Sequence, residues 1–154
     1  MGRGAVRGAA PLKLLAQDGE DLKVISAALQ DAVLKVGDIR YEAAGRRLTL
    51  ALNRYRWEGG ERSRERVRSA LQFGDVLEVK ARRIRREAPD AVLELLAVTF
   101  EPAGAEDPGG TVTLAFAGDG DLRLRVEAVE AALADVSGPW PARGTPAHEL
   151  EAGR

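Results

Sequence analysis

The sequence lacks cysteine altogether and has a single histidine among its 154 residues. The absence of cysteine excludes a disulfide framework, a thiolate zinc site and a cysteine nucleophile, and it fits a reducing cytosol. The one histidine, His148, lies in a Pro- and Gly-containing segment without apolar cover, a poor setting for a general base. Unless another chain supplies residues, Ser-His-Asp, Cys-His and multi-histidine metal chemistry are therefore excluded.

Long hydrophobic runs are also missing, so no stretch has the length of a membrane span. The first residues, MGRGAVRGAAP, lack the apolar core of a signal peptide. A formal net charge of −1 predicts no general attraction to nucleic acid or to a membrane. We expect a cytoplasmic protein with a disordered leader at 1–11, one domain at 12–141 and a flexible tail at 142–154.

One amphipathic helix is predicted near the start of the chain. Asp18 is a suitable N-cap, and Glu20 and Asp21 place negative charge in the first turn, where the helix dipole favours it. Apolar residues then recur at spacings of three and four, which is typical of a helix with one buried side. This stripe consists of Leu22, Ile25, Leu29, Ala32 and Val33. Gly37 beyond it indicates a turn into a hairpin.

The rest of the chain reads mostly as antiparallel strands. The segment 47–57 alternates, with leucines at positions 48, 50 and 52 on one face and with Tyr55 and Trp57 on the other. Further alternating runs follow up to Val126. The period then changes towards 3.6, and Val129, Leu133 and Val136 predict a short C-terminal helix.

This element order predicts an α+β fold. We expect a mostly antiparallel bent sheet or partly closed barrel of pleckstrin-homology-like outline, with one helix near the N-terminus and one at the C-terminus. The competing arrangement is a flatter antiparallel sheet with both helices on one face. No parallel βαβ unit is predicted after the first strand.

Several sequence blocks carry a family resemblance. They are LKLLAQDGEDLKVISAALQDAVLKVGDI, LALNRYRWE, SALQF followed two residues later by VLEVKARRI, GGTVTLAF and LRLRVE. In this order they resemble a bacterial domain-of-unknown-function family, the one numbered two-nine-four-eight. The resemblance runs from about Leu12 to Trp140. It implies a small soluble bacterial protein, and it carries no activity, substrate, cofactor or catalytic residue with it.

A basic segment in the middle of the chain suggests a binding site. Residues 40–86 hold 14 basic and 6 acidic side chains, whereas the remainder holds 9 basic and 18 acidic ones. At the end of the predicted hairpin, aromatic and basic residues meet a charged loop with two glycines. We predict a ligand or partner patch there, made of Asn53, Arg54, Tyr55, Arg56 and Trp57. The alternative is that the arginines of this segment face solvent and that acidic residues from elsewhere in the fold neutralise their charge.

Other candidates have weaker support. The carboxylates Asp31, Asp38 and Glu58 share no face that would make a metal or acid–base site. Trp140 is expected to pin the end of the domain rather than to bind a partner. The glycine-rich segments EPAGAEDPGG and AGDGD precede no helix, which excludes a phosphate-binding loop. We therefore predict no catalytic residue, no cofactor and no metal.

The leading functional hypothesis is a non-catalytic binding or adaptor domain for a protein or an anionic ligand. One alternative is an enzyme, or enzyme accessory, that acts on a small anionic substrate with arginines and carboxylates. Another is a weak RNA binder, in which Tyr55 and Trp57 stack on bases while the neighbouring arginines contact phosphates. Both a monomer and a homodimer fit the sequence.

Overall fold

The computed structural model describes residues 11–56, 65–138 and 140–141. The predicted tail and nearly all of the predicted leader lie outside the described residues. So do Trp57 of the predicted patch and His148.

One α-helix, one short 3-10 helix and eleven strands form the described part of the chain. The α-helix, α1, spans Gly19–Ala28, and the 3-10 helix spans Val36–Asp38. The strands are β1 Lys13–Ala16, β2 Val33–Lys35, β3 Ile39–Glu42, β4 Arg47–Tyr55, β5 Glu65–Phe73, β6 Val76–Arg82, β7 Val92–Pro102, β8 Gly110–Phe116, β9 Asp121–Val126, β10 Ala131–Asp135 and β11 Trp140–Pro141. All strand pairs within the described residues are antiparallel, which confirms the predicted sheet type.

Helix α1 begins as the sequence predicts. The Asp18 carboxylate accepts a hydrogen bond from the Asp21 N–H at 2.8 Å, which satisfies one of the free donors of the first turn. The chain reverses after the helix at Asp31, whose φ of 68° lies in the left-handed region. Gly37 lies in the 3-10 helix that leads directly into the β3–β4 hairpin, as the sequence predicts. The buried members of the predicted stripe are Leu22, Ile25, Leu29 and Ala32. The stripe thus lies in the core, although its last members follow the helix.

The strands form one sheet in the order β1-β10-β5-β4-β2-β7-β8-β9-β6, with β3 paired to β4 and β11 paired to β5. Helix α1 packs against β7 and β1. The contact with β7 includes a hydrogen bond, because the Ser26 hydroxyl accepts from the Val98 N–H at 2.9 Å. The two end strands, β1 and β6, do not pair, so the sheet is not closed.

The predicted C-terminal helix is wrong. Residues 131–135 form β10, which lies between β1 and β5 and pairs with both. Ala131 and Leu133 are buried while Ala132 and Ala134 are half-buried, which is the two-residue period of a strand. Alanine favours helices intrinsically, but the unpaired edges of β1 and β5 supply hydrogen bonds on both sides, and that tertiary context overrides propensity.

Without a second helix, the pleckstrin-homology-like outline is not supported either. The flatter sheet with two helices on one face is wrong for the same reason. The structure described here is a mostly antiparallel, open sheet with one α-helix.

The core lies on the face of the sheet that carries the leucine rows. The three predicted leucines of β4, at positions 48, 50 and 52, are wholly buried, and they stand opposite Phe73, Leu71 and Ser69 of β5. The same face of β4 continues to position 54, where the sequence has arginine instead of leucine. Arg54 is 0% exposed and is among the largest fully buried side chains of the described residues.

A buried ion pair accommodates Arg54. Its Nε and Nη2 donate to the two carboxylate oxygens of Asp135, each at 3.0 Å, and its Nη1 donates to the Tyr55 carbonyl at 3.0 Å. Asp135 also accepts from the Ser69 hydroxyl at 2.7 Å and from the Leu12 N–H at 2.8 Å. The network therefore joins β4, β5, β10 and the residue before β1. Bidentate, charge-assisted bonds of this kind are both strong and geometrically specific.

The protonation of Asp135 reflects two opposing effects. Burial by itself would raise the pKa of this carboxyl. The hydrogen bonds from Arg54, the Leu12 N–H and Ser69, together with the charge of Arg54, outweigh burial, so the pKa of Asp135 is lowered from its ordinary value. The carboxylate is thus ionised in the folded protein at neutral pH.

Removal of the negative charge should destabilise the fold strongly. In Asp135→Asn, Arg54 stays buried without a counter-ion, and breaking one half of a buried pair costs about 3–5 kcal/mol of unfolding free energy. The matched control is Glu127→Gln, which removes the partner of Arg46 in a pair that is about half exposed on both sides (54% and 55%). The control should cost less than about 1 kcal/mol. Urea unfolding, monitored by circular dichroism, measures the unfolding free energy of both variants. An equal loss of unfolding free energy in the two variants would contradict a structural role for the buried pair.

The ion pair between Arg54 and Asp135 should also make the free energy of unfolding depend on pH in the acidic range. Because the folded pKa of Asp135 is below its unfolded value of about 3.9, its contribution is complete above that value and is lost as the pH falls further. The difference in unfolding free energy between the wild type and Asp135→Asn should be constant from neutral pH down to about pH 5 and should shrink below about pH 4. Urea titrations at a series of pH values test this, and a difference that does not change with pH would overturn it.

Candidate functional site

The predicted patch is split by the alternation of β4. Asn53 and Tyr55 point to the face opposite the leucines, whereas Arg54 points into the core and does not reach the surface. Arg56 directly follows the strand, and Trp57 lies outside the described residues. The exposed half of the patch is therefore completed by β5, whose Arg66 and Arg68 stand opposite Tyr55 and Asn53.

Arg66 lies over the ring of Tyr55. Its guanidinium carbon is 4.2 Å from the centroid of the Tyr55 ring, and its Nη2 donates to the Tyr55 hydroxyl at 2.7 Å. Such a cation–π contact orients the guanidinium plane and covers one face of the ring. The Nε of Arg66 is buried and has no acceptor in the described part of the chain. No carboxylate of that part forms an ion pair with Arg66.

Arg68 is held by two acceptors. One guanidinium nitrogen donates to the Asn53 side-chain oxygen at 3.1 Å and another to Asp38 at 3.2 Å. Both charged side chains of this pair are about one-third exposed (35% and 34%), so solvent weakens the pair. Asp38, one of the predicted carboxylates, comes from the end of the 3-10 helix. Its role here is to position a cation.

The remaining cation is Arg56, which forms an ion pair with Glu65 at the start of β5. Together, Asn53, Tyr55, Arg56, Arg66 and Arg68 form what we call the β4–β5 cluster. Its three cations face two carboxylates, those of Asp38 and Glu65, so the cluster and these two residues together carry a net charge of +1.

Beside the cluster lies a shallow apolar surface on the same side of the sheet. Ala51, Ala70 and Ala134 are register partners across β4, β5 and β10, and all three are half-buried. Leu15 and Val136 flank them and are 65% and 62% exposed. We call these five residues the outer face. Because the alanines are small, this face is flat and open to a partner that lies across it.

Most of the positive bias of residues 40–86 is neutralised within the fold. Carboxylates outside this segment pair with many of its arginines. These pairs are Arg46–Glu127, Arg54–Asp135, Arg82–Asp121, Arg83–Asp119, Arg85–Glu87 and Arg68–Asp38. The alternative interpretation of the charge bias thus accounts for most of it. Arg66 is an exception, since it has no acidic partner among the described residues.

The predicted carboxylates do not converge. Asp31 occupies the turn after α1, Asp38 binds Arg68, and Glu58 lies outside the described residues. Among the side chains that the structure describes, no group of three or more His, Cys, Asp or Glu residues is placed to hold a metal ion.

Sequence reasoning missed Arg66, Arg68 and Asp135. The alternation of β5 was visible in Val67, Ser69, Leu71 and Phe73, and it already places residues 66 and 68 on the opposite face. What was missing was the register that sets them beside Tyr55 and Asn53. Asp135 was hidden because its segment was interpreted as a helix.

Comparison with known proteins gives a family and nothing further. A family model described as "Protein of unknown function (DUF2948)" matches residues 12–148. No curated protein and no solved structure matches the chain. In the described residues, no helix is both long and apolar enough to cross a membrane. Since the match spans nearly the whole sequence, it confirms the resemblance of the sequence blocks, and the chain belongs to the DUF2948 family of proteins of unknown function.

Proposed function

We propose that this protein is a non-catalytic binding domain that docks an acidic segment of a protein partner on its outer face, with the β4–β5 cluster as the charged end of the site. The observation that carries the proposal is the state of Arg66. Its guanidinium is oriented by Tyr55, yet no carboxylate among the described residues forms an ion pair with it. Because a partly buried cation without a counter-ion is unfavourable, an incoming carboxylate gains more here than at an exposed arginine.

The neighbouring surface fits a protein partner. Interfaces are enriched in Tyr and Arg, with an apolar centre and a polar rim. Here, the row of Ala51, Ala70 and Ala134 lies on the same side of the sheet as Tyr55 and the arginines, and the exposed Leu15 and Val136 flank that row. An acidic peptide segment with a few apolar side chains would contact both parts at once.

The two alternative functions have less support. An RNA base would need the face of the Tyr55 ring, but Arg66 covers one side of that ring. An enzyme would need carboxylates that are available for proton transfer, but Asp38 and Glu65 form ion pairs with Arg68 and Arg56.

Loss of the two β5 arginines should abolish most of the binding. The probe is a synthetic peptide of alternating Glu and Leu, titrated at low salt while backbone amide chemical shifts are recorded. We expect shifts at the outer face, and a dissociation constant at least about tenfold weaker in Arg66→Gln/Arg68→Gln, since one charge-assisted hydrogen bond contributes about 1.5–3 kcal/mol.

The matched control is Arg123→Gln/Arg125→Gln, which removes the same charge from β9, where both arginines are more than half exposed (55% and 59%). It should change the affinity less than about twofold, because β9 pairs with β6 and β8 and is part of neither the outer face nor the β4–β5 cluster, and exposed charges at a distance are screened. Equal effects of the two double variants would contradict the site. Tighter binding of single-stranded poly-uridine than of the peptide, with shifts at Tyr55, would favour the RNA alternative instead.

A further inference from the structure

The unpaired edges of β3 and β6 meet at one point of the open sheet. In the described residues β3 pairs with β4 alone and β6 with β9 alone. At the start of β6, the Tyr41 hydroxyl donates to the Val76 carbonyl at 2.9 Å, and the Val76 N–H donates to the Arg46 carbonyl at 2.9 Å. These two bonds connect the halves of the sheet at Val76. Beyond that residue the two edges form no ladder.

A cavity of about 390 Å³ lies between these edges. Most of the residues that line it are apolar, and they come from opposite sides of the opening. Val36, Ile39 and Leu48 line one wall, and Val79, Ala81 and Leu122 line the other. The volume lies near the lower end of the range of about 300–1,000 Å³ that is typical of small-molecule sites. It is thus suited to a small ligand with an apolar body.

The charge at this cavity comes from Arg86, which is the sole charged residue among those that line it. Its neighbours in the segment 82–86 are neutralised. Arg82 pairs with Asp121 at 2.7 Å, Arg83 with Asp119 at 3.7 Å and Arg85 with Glu87 at 3.6 Å. The exposed Arg86 side chain has no carboxylate partner in the described residues. An apolar pocket with a single unneutralised cation is complementary to a ligand with one negative charge.

We propose that this cavity binds a small amphipathic monocarboxylate, a short acyl chain whose carboxylate pairs with Arg86. The chain lies between the β3–β4 wall and the β6–β9 wall and removes their apolar side chains from water. The carboxylate accepts hydrogen bonds from the guanidinium of Arg86. Because Arg86 has no acidic partner among the described residues, the ligand does not have to displace one. This site is independent of the outer face, because Leu48 lies on the opposite side of β4 from Asn53 and Tyr55.

The test uses sodium octanoate as the probe and 1-octanol as its uncharged counterpart. Titration of the full chain, followed by amide chemical shifts, should move the resonances of Val36, Val79 and Leu122 together. Arg86→Gln should weaken octanoate binding at least about tenfold, as expected for one lost charge-assisted contact. It should leave octanol binding unchanged. Arg85→Gln, the adjacent arginine with its own acidic partner, is the matched control and should change neither.

A second variant tests the apolar part. Ala81→Leu fills part of the cavity and should weaken octanoate and octanol alike, while urea unfolding verifies that the variant is folded. Octanoate shifts that fall outside the cavity would overturn the proposal. So would equal effects of Arg85→Gln and Arg86→Gln, which would mean that only the general positive charge of the segment matters.

Discussion

The ion pair between Arg54 and Asp135 is the constraint on which the central sheet depends. A buried guanidinium needs a buried carboxylate with matching geometry, and it obtains one from a strand 81 positions further along the chain. The same carboxylate holds Ser69 of β5 and the backbone before β1. Four segments are thus fixed relative to one another by one residue pair. Apolar side chains alone would not specify which strand lies beside β5 so uniquely.

The inward orientation of the Arg54 side chain also determines which side chains of β4 lie on the surface. Because side chains alternate along a strand, the burial of Arg54 sends Asn53 and Tyr55 outward, next to Arg68 and Arg66. Among the described residues, four cations form no ion pair, namely Lys13, Arg40, Arg66 and Arg86. Arg66 belongs to the β4–β5 cluster beside the outer face, and Arg86 lines the cavity between β3 and β6. Both proposed sites follow from a local excess of positive charge beside apolar surface.

Pattern reasoning succeeded where one face of an element is uniformly apolar. The stripe of α1 and the leucine row of β4 lie in the core, because periodicity directly reflects which side chains leave water. The prediction from periodicity was wrong at β10, because alanines are compatible with the helical and with the strand period. There, pairing with β1 and β5 determines that the segment is a strand. Pattern reasoning also missed Arg54, although positions 48, 50 and 52 point to the same face, because a charged side chain is rarely buried unless it is paired.

The sequence by itself determined the antiparallel strands, the helix with its Asp18 cap, the exclusion of cysteine chemistry and the family. These follow from local spacing and composition, which need no knowledge of distant partners. Tertiary structure alone decided that residues 131–135 form a strand, that the sheet stays open between β3 and β6, and that Arg54 is core while Arg66 is surface. Each of these depends on register between strands far apart in the chain, and register is fixed by pairing energies that no single segment contains.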